Sequence, residues 1–285
     1  MASNNENITT PNRAILAQHL KNNTLFQADE LQLPMITAAV EERVDLFLWP
    51  QDDPQNPNPD FAGISTRLRE FKLSHLRMKN ALRHILTTLN DAGIPVIVLR
   101  GLALAIPLYQ TPYKRPQSDI DLIFKIEDIL LAKQTMWEIG FRPDRTYADI
   151  FVRGDIQVDI HSEPLGIERI QAWGHLTPLR APDFFANATQ GELDGTPALR
   201  MSHHVNLPYL CFHAMKHSFE RLIWLYDIAL MANQINADKD WDETSNAIKK
   251  YKLERPCYYA LAYAHKHLGA QIPDTVLENI KPTMG

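Results

Sequence analysis

The sequence predicts an α+β fold in which a small mixed-sheet core is flanked by N-terminal and C-terminal helical regions. Two observations lead to this prediction. Between residues 81 and 165, short apolar runs of strand character alternate with helical segments and end in a hairpin signal at Gly154–Asp155. Before and after this part, apolar residues recur mainly at helical spacing.

Composition divides the chain into four parts. Residues 1–12 are polar and rich in asparagine, as is typical of a disordered tail. Residues 13–80 are predicted to form the N-terminal helical region, with a Pro-rich loop at 49–63. Residues 81–165 form the predicted α/β core, and residues 166–285 form the C-terminal helical region.

The totals exclude several classes of protein. The 285 residues carry a formal net charge of −5, so we expect no broad nucleic-acid binding, which requires clustered basic residues. The N-terminus MASNNENITTPNR has neither the basic nor the apolar part of a secretory signal, and no apolar run is long enough to cross a bilayer. We therefore predict a cytoplasmic protein without a membrane partner. Cys211 and Cys257 form no CxxC motif, and we expect no disulfide scaffold.

The core is predicted to be two strand–helix pairs followed by a hairpin. In chain order these are a strand in IPVIVLRG, a short helix in LALAIPLY, a strand in SDIDLIFKI, a helix in EDILLAKQTMWEIG and two strands in YADIFVRGDIQVDIHSE. Of the flanking helices, one is predicted over 66–93, where Gly93 is a natural C-cap, and one over 207–234. Segment 164–202 is predicted to be loop-rich.

Two aspartates lie one residue apart in the strand SDIDLIF. Because strand side chains alternate between faces, Asp119 and Asp121 should share one face while Ile120, Leu122 and Phe124 point to the core. Carboxylates side by side repel each other unless a divalent cation lies between them, and Mg²⁺ prefers such oxygen ligands together with substrate phosphates. A D-x-D pair alone is a weak signal, since most such pairs lie on a solvated face.

A third aspartate follows in the second hairpin strand, where Asp159 and His161 should share a face. If this strand pairs beside the D-x-D strand, Asp119, Asp121 and Asp159 converge. Three carboxylates are the minimum for two-metal phosphoryl chemistry, in which Asp159 could also hold or deprotonate the attacking hydroxyl. We therefore predict these three as metal ligands and catalytic residues, with two Mg²⁺ ions.

A strand-to-helix turn at Gly101 offers a place for phosphates, because glycine lets the backbone approach and a helix start exposes N–H groups. Arg100, Lys114 and Arg115 could compensate phosphate charge. The alternatives are that Gly101 only allows packing and that Arg115 is a surface charge.

These residues resemble a known family. The segments VLRGLALA, RPQSDIDLIF, EIGF, VDIHSE and LCFHAMKHSFERLIWLYDIAL are similar to nucleotidyltransferases of the DNA polymerase β superfamily, and more narrowly to its bacterial uncharacterised nucleotidyltransferases. The resemblance implies that Gly101 holds a triphosphate, that Asp119 and Asp121 bind two Mg²⁺ ions, and that Asp159 completes the site. The chain departs from the superfamily in its Arg-Gly-Leu turn, and from the narrower group in having Arg100 where lysine is usual.

Within 207–234, a helical stripe of His213, His217, Glu220, Trp224 and Asp227 permits three interpretations. The two histidines could bind zinc, although the segment is not H-E-x-x-H. The stripe could be a polar interior seam, in which Asp227 needs a buried partner. The helix could also line the active cleft.

The resemblance favours the third interpretation, which makes Lys216 and His217 nucleotide-binding candidates. No role is assigned to His161, His203, His204 or His213.

We predict that the protein is a Mg²⁺-dependent enzyme that moves a nucleoside monophosphate from an NTP, ATP by default, onto a hydroxyl-type acceptor and releases pyrophosphate. Its nucleotide-binding residues would be Arg100, Gly101, Arg115, Lys216 and His217. The alternative is a nucleotide-binding or protein-interaction module with little turnover, such as a partner subunit in a biosynthetic or toxin–antitoxin system. The acceptor, the base and the oligomeric state are left open.

Overall fold

The computed structural model describes residues 10–26, 32–49, 59–167, 170–235 and 238–282, with the side chains of 59–65 and 238 left aside. Most of the predicted tail at 1–12 and of the predicted loop at 49–63 lies outside the described residues. In chain order the helices and strands are α1 (Pro11–Asn22), α2 (Leu33–Glu41), α3 (Asp45–Leu48), α4 (Pro59–Asp91), β1 (Ile97–Leu99), α5 (Gly101–Leu108), β2 (Ile120–Ile123), α6 (Ile129–Glu138), β3 (Arg142–Pro143), β4 (Ile150–Arg153), β5 (Ile156–His161), α7 (Trp173–Leu176), α8 (Ala181–Ala186), β6 (Ala188–Leu193), β7 (Thr196–Met201), α9 (His203–Lys216), α10 (Leu222–Ala232), α11 (Asp238–Lys250), α12 (Glu254–Leu268) and α13 (Asp274–Asn279).

The described chain forms two compact units. The helical unit contains the chain up to residue 72, residues 114–116 and the chain from residue 207 onwards. The sheet unit contains residues 73–113 and 117–206. No described helix has the length and apolar character needed to cross a membrane.

The sheet unit is built on one mixed sheet with the described strand order β3-β4-β5-β2-β1-β7-β6. The strand β2 lies in the middle, antiparallel to β1 and parallel to β5. The hairpin β4–β5 turns at Gly154–Asp155, as predicted. This arrangement confirms the predicted mixed sheet with flanking helices.

Alternation along the strands separates a core face from a polar face. Ile120, Leu122 and Phe124 of the β2 segment, and Val158 and Ile160 of β5, are all at most 3% exposed and pack into one apolar cluster. The same cluster contains the inner sides of α4 and α6, from Met78 to Leu89 and at Ala132 and Met136. Burial of these side chains fixes the register, because a slip by one residue would turn the aspartates into the core.

The prediction of a loop-rich segment at 164–202 was wrong for its second half. Residues 188–201 form the hairpin β6–β7, and β7 pairs in parallel with β1. Asp194 and Gly195, at its tip, have φ values of 53° and 72°. Positive φ at both central residues defines a type I′ turn, which Asp-Gly favours.

The single helix predicted over 207–234 was also wrong. Helix α9 ends at Lys216 and α10 begins at Leu222, because Ser218 and Phe219 between them adopt φ values of 54° and 53°. His213, His217 and Trp224 nevertheless remain together, with ring centroids 4.8 to 5.3 Å apart. These three rings form a partly exposed aromatic cluster of the helical unit.

Two buried ion pairs join distant segments of the helical unit. Arg13 lies 3.4 Å from Glu42 and donates to the carbonyl of Phe219 at 2.6 Å. Arg115 donates through Nε and Nη2 to the two carboxylate oxygens of Asp227, at 3.0 and 2.7 Å. This second pair confirms that Asp227 has a buried partner.

Candidate functional site

The candidate site is formed by the polar face of β2 and β5. The two strands run in parallel, and Asp121 lies directly opposite Asp159 in their register. Their apolar neighbours along each strand point to the core, so both carboxylates emerge on the other face. His161 follows on that face two residues after Asp159, which confirms the predicted alternation.

The side chains of Asp121, Asp159 and His161 each offer a ligand atom, and these atoms all lie within 4.8 Å of one another. Asp121 and Asp159 are 7% and 8% exposed. His161 Nε2 lies 3.0 Å from Asp121 Oδ1, and Gln157 Nε2 donates to Asp159 Oδ1 at 2.9 Å. Arg100 Nη2 donates to Asp121 Oδ1 at 2.5 Å. The site is thus a mostly buried cluster of charges with partial compensation.

Electrostatics distinguish the two members of the D-x-D pair. Burial and the charges of Asp121 and Asp159 raise the pKa of Asp119 to about 6, against the opposing charge of Arg100. Burial would also raise the pKa of Asp121, but the charge of Arg100 and the hydrogen bond with His161 lower it below its usual range. Asp119 is therefore the carboxyl of the pair that takes up a proton more readily.

Asp119 lies just before β2 and is not a member of the group whose ligand atoms lie within 4.8 Å. In the structure, His161 lies beside Asp121 and Asp159 in the place that was predicted for Asp119. The convergence of Asp159 on the D-x-D strand is as predicted, whereas the direct ligand role of Asp119 stays a prediction. The sequence showed that His161 shares this face, but not that its ring reaches Asp121.

The turn between β1 and α5 has an unusual backbone. Arg100 adopts φ 48° and ψ −147°, at the edge of a region that is essentially restricted to glycine. Gly101 follows with φ 39° and begins α5. The side chain of Gln117 lies against Gly101, and its Oε1 atom is buried without a hydrogen-bond partner. Strain and an unsatisfied buried acceptor are both typical of functional sites.

The residues present fit a divalent cation. Two atoms bound to one ion at about 2.2 Å can be at most about 4.4 Å apart, so the 4.8 Å span of the cluster needs only a small side-chain rotation. The donor set contains two carboxylates, and the ion pair of Arg100 with Asp121 supplies one positive charge against these two negative charges. A cation would relieve the remaining repulsion.

The other predicted nucleotide-binding residues belong to the helical unit. Arg115 is 6% exposed, so the alternative of a surface charge was wrong. Its three guanidinium nitrogens all donate within the protein, to Asp227 and to the carbonyl of Pro116. This arrangement gives no support to phosphate binding by Arg115.

Lys114 is 9% exposed, and burial lowers its pKa. Lys216 ends α9 and His217 belongs to the aromatic cluster. The assignment of Lys216 and His217 to the nucleotide stays a prediction.

A cavity lies beyond the ends of β2 and β5 in the sheet unit. It has a volume of about 520 Å³. Its polar lining includes Lys125, Glu127, Ser162 and Glu163, and Phe185 supplies an aromatic wall. Ser162 is the residue after His161, and Phe124, next to Lys125, donates its N–H to the carbonyl of His161. The cavity therefore adjoins the ends of the two strands that carry the candidate site.

Solved structures similar to this chain include two of ANT(2″)-Ia. One is a crystal structure in complex with adenylyl-2″-tobramycin (16% identity, TM-score 0.42, covering 61% of this chain and 98% of that one). The other is a solution structure (17% identity, TM-score 0.44, 67% and 98%). A third similar structure is an antigenic nucleotidyltransferase-like protein from Paracoccidioides brasiliensis (16% identity, TM-score 0.43, 70% and 96%).

No curated protein matches the sequence. Residues 48–269, well over half of the chain, match a family described as uncharacterised nucleotidyltransferase. The matched range includes the sheet unit with its carboxylates and the turn at Gly101. The match confirms the resemblance noted in the sequence, and the chain belongs to this family of transferases.

Proposed function

We propose that the protein transfers a nucleoside monophosphate from an NTP, with ATP as the default donor, to a hydroxyl group of a small molecule, and that the reaction depends on Mg²⁺ or a similar divalent ion. The observation that carries the proposal is the parallel register that places Asp159 opposite Asp121 on the polar face of the sheet. Family membership supports nucleotidyl transfer in general, while the metal dependence, the donor and the acceptor belong to the proposal.

In this reaction the acceptor oxygen forms a bond to the α-phosphorus, the bond from that phosphorus to the bridging oxygen breaks, and pyrophosphate leaves. Divalent ions, when bound, neutralise phosphate charge and make the acceptor hydroxyl more acidic. Asp121 and Asp159 would hold the ions. Asp119, two residues before Asp121, would complete the ligand set, and Asp159 would accept the proton of the acceptor hydroxyl.

The turn at Gly101 would bind the triphosphate. The first N–H groups of α5 lack partners within the helix, and such groups bind anions. Arg100 fixes Asp121 through its ion pair and adds positive charge beside the phosphates. Gln117 offers its unpaired Oε1 to a hydroxyl or amine of the nucleotide.

The acceptor would bind in the cavity lined by Ser162 and Phe185. Its volume of about 520 Å³ lies within the range of roughly 300–1,000 Å³ that is usual for small-molecule sites. A mixed lining of carboxylates, a hydroxyl and an aromatic ring fits a polar molecule of metabolite size.

The test uses ATP labelled at the α-phosphate, incubated with the protein, Mg²⁺ and a small-molecule fraction of a cell extract. We expect the label to appear in a low-molecular-weight product together with pyrophosphate. Asp159→Asn should lower the rate at least about 1,000-fold, since it removes a metal ligand that acts in the transition state. Asp155→Asn, on the exposed hairpin turn of the same sheet, is the matched control and should leave the rate unchanged.

ATP binding without pyrophosphate release, in small-molecule and macromolecular fractions alike, would contradict transfer and favour the binding-module alternative. Label that appears only in protein or RNA would contradict the small-molecule acceptor alone.

A further inference from the structure

We propose that His161 is a metal ligand, and that its nitrogen makes the site prefer Mn²⁺ to Mg²⁺. The biological meaning of this inference rests on the proposed function. Its test measures metal binding alone and does not require nucleotidyl transfer. The residue set it names differs from the all-carboxylate set predicted from the sequence, because His161 takes a place beside Asp121 and Asp159.

The first argument is distance. His161 Nε2 and Asp121 Oδ1 are 3.0 Å apart. Two neighbouring ligands of a six-coordinate ion, each about 2.1–2.2 Å from it, are separated by about 3.0–3.1 Å. The two atoms therefore already have the spacing of adjacent ligands, and an ion could replace their hydrogen bond without a rearrangement of the strands.

The second argument is placement. Asp159 and His161 are two residues apart on β5, and Asp121 faces Asp159 across the parallel register. All three side chains emerge from neighbouring positions of the rigid sheet centre, where metal ligands are held more precisely than in loops. His161 is 12% exposed at its side chain, so an ion bound there would be shielded from water on the protein side.

The third argument is compatibility with Arg100, which also contacts Asp121 Oδ1. A carboxylate offers about four lone-pair sites on its two oxygens. Asp121 can therefore accept the hydrogen bond from Arg100 and bind an ion at the same time. The requirement on His161 is that Nε2 be unprotonated and that the remaining proton lie on Nδ1.

The ligand type sets the preference among ions. Mg²⁺ is bound almost entirely through oxygen atoms, whereas imidazole binds first-row transition ions. Mn²⁺ accepts carboxylates and water as readily as Mg²⁺ does and also tolerates an imidazole nitrogen. A site with two carboxylates and one imidazole should hence prefer Mn²⁺ to Mg²⁺.

The direct test is pulsed electron paramagnetic resonance of the metal-stripped, full-length protein loaded with one equivalent of Mn²⁺. We expect a nitrogen coupling that shows imidazole bound to the ion, and we expect it to be absent in His161→Gln. Affinity is measured from the free Mn²⁺ signal, alone and in competition with Mg²⁺. His161→Gln should weaken Mn²⁺ binding about 10-fold or more and Mg²⁺ binding less than about 3-fold.

His84→Gln, at an exposed histidine of α4 in the same unit, is the matched control and should retain the coupling and the affinity. Absence of nitrogen coupling in the wild-type protein would overturn the proposal, and this measurement does not depend on the folding of any variant. Equal affinities of wild type and His161→Gln for Mn²⁺ would overturn it as well.

The two proposals fail separately. Transfer that requires Asp159, without nitrogen coupling, leaves the proposed function standing and removes His161 from the ligand set. Nitrogen coupling in a protein that transfers no nucleotide leaves the metal site standing and removes the function.

Discussion

At the scale of single residues, the backbone of Arg100 is the most informative feature of the site. Its φ of 48° and ψ of −147° are close to the mirror image of the polyproline conformation, which glycine adopts freely and other residues avoid. The ion pair with Asp121 helps to hold it there. We infer that backbone strain at Arg100 is tolerated because it places the guanidinium between the glycine turn and the carboxylates.

A comparison of Arg100→Gly with Arg100→Ala measures this strain. Both changes remove the same ion pair, but only glycine relieves the backbone. We therefore expect Arg100→Gly to have a free energy of unfolding about 1 kcal/mol higher than Arg100→Ala, although glycine in regular structure is usually the less stable of the two by about 0.5–1 kcal/mol. Urea denaturation gives both values.

The control is the same pair of changes at Arg77, an exposed residue within α4 that also loses one ion pair. Arg77→Ala should have a free energy of unfolding about 1 kcal/mol higher than that of Arg77→Gly. If alanine is also the more stable at position 100, the backbone of Arg100 is not strained.

At the scale of elements, the strands that carry the site were the most predictable part of the molecule. Alternation of Asp and apolar residues in SDIDLIF and IQVDIHSE identified their core face correctly, because a two-residue period leaves few alternatives. Sequence also identified the hairpin at Gly154–Asp155. The sequence did not predict that β5 pairs beside β2, and this pairing had to be assumed. Register between distant strands depends on packing that no local pattern reveals.

Two elements were missed for different reasons. The hairpin β6–β7 carried a usable signal, since Asp194–Gly195 is a favoured type I′ pair, but its strands include glycine and proline and lack a clear apolar period. The end of α9 carried no signal, because Ser218 and Phe219 are not residues that normally adopt positive φ. Tertiary packing decided the second case.

The hairpin β6–β7 provides a test of pH dependence through Asp194, which pairs with Lys79 and Arg83 at 3.0 Å each. Burial raises the pKa of Asp194, but the hydrogen bonds and charges of these two residues outweigh it, so that the pKa is lowered. A lowered pKa stabilises the fold above the unfolded-state value of about 3.9, and this contribution is lost as the pH falls through the folded-state value. Asp194→Asn keeps a residue suited to the turn and removes only the charge.

We expect Asp194→Asn to reduce the free energy of unfolding by about 0.5–1.5 kcal/mol at pH 7, since partly exposed pairs contribute about 0.2–1 kcal/mol each. The difference should shrink as the pH falls below the unfolded-state pKa of about 3.9. Chemical denaturation at pH 7 and across the acid range measures it, with Asp155→Asn as a control for a more exposed pair. A difference that persists unchanged in acid would show that the turn, and not the charge, is responsible.

At the scale of the whole molecule, each of the two compact units is made of segments that are separate in the sequence. Residues 114–116 belong to the helical unit although the chain on either side of them belongs to the sheet unit. The forked pair of Arg115 with Asp227 connects this short segment to α10 of the helical unit. The sequence alone could predict that Asp227 needs a partner, but not which of the 29 basic residues it is.

A double-mutant cycle on Arg115 and Asp227 tests whether this pair holds the short segment in place. Asp227→Ala leaves a guanidinium that is 6% exposed without its anion, and removal of one partner of a buried pair costs about 3–5 kcal/mol. Replacement of both residues, as Arg115→Met with Asp227→Ala, should cost much less than the sum of the two single changes, because no buried charge is then left unpaired. Denaturation followed by circular dichroism measures all four proteins. Additive losses would show that the two side chains act independently, and a loss below about 1 kcal/mol for Asp227→Ala would show that water reaches Arg115 and that the segment is held by its packing instead.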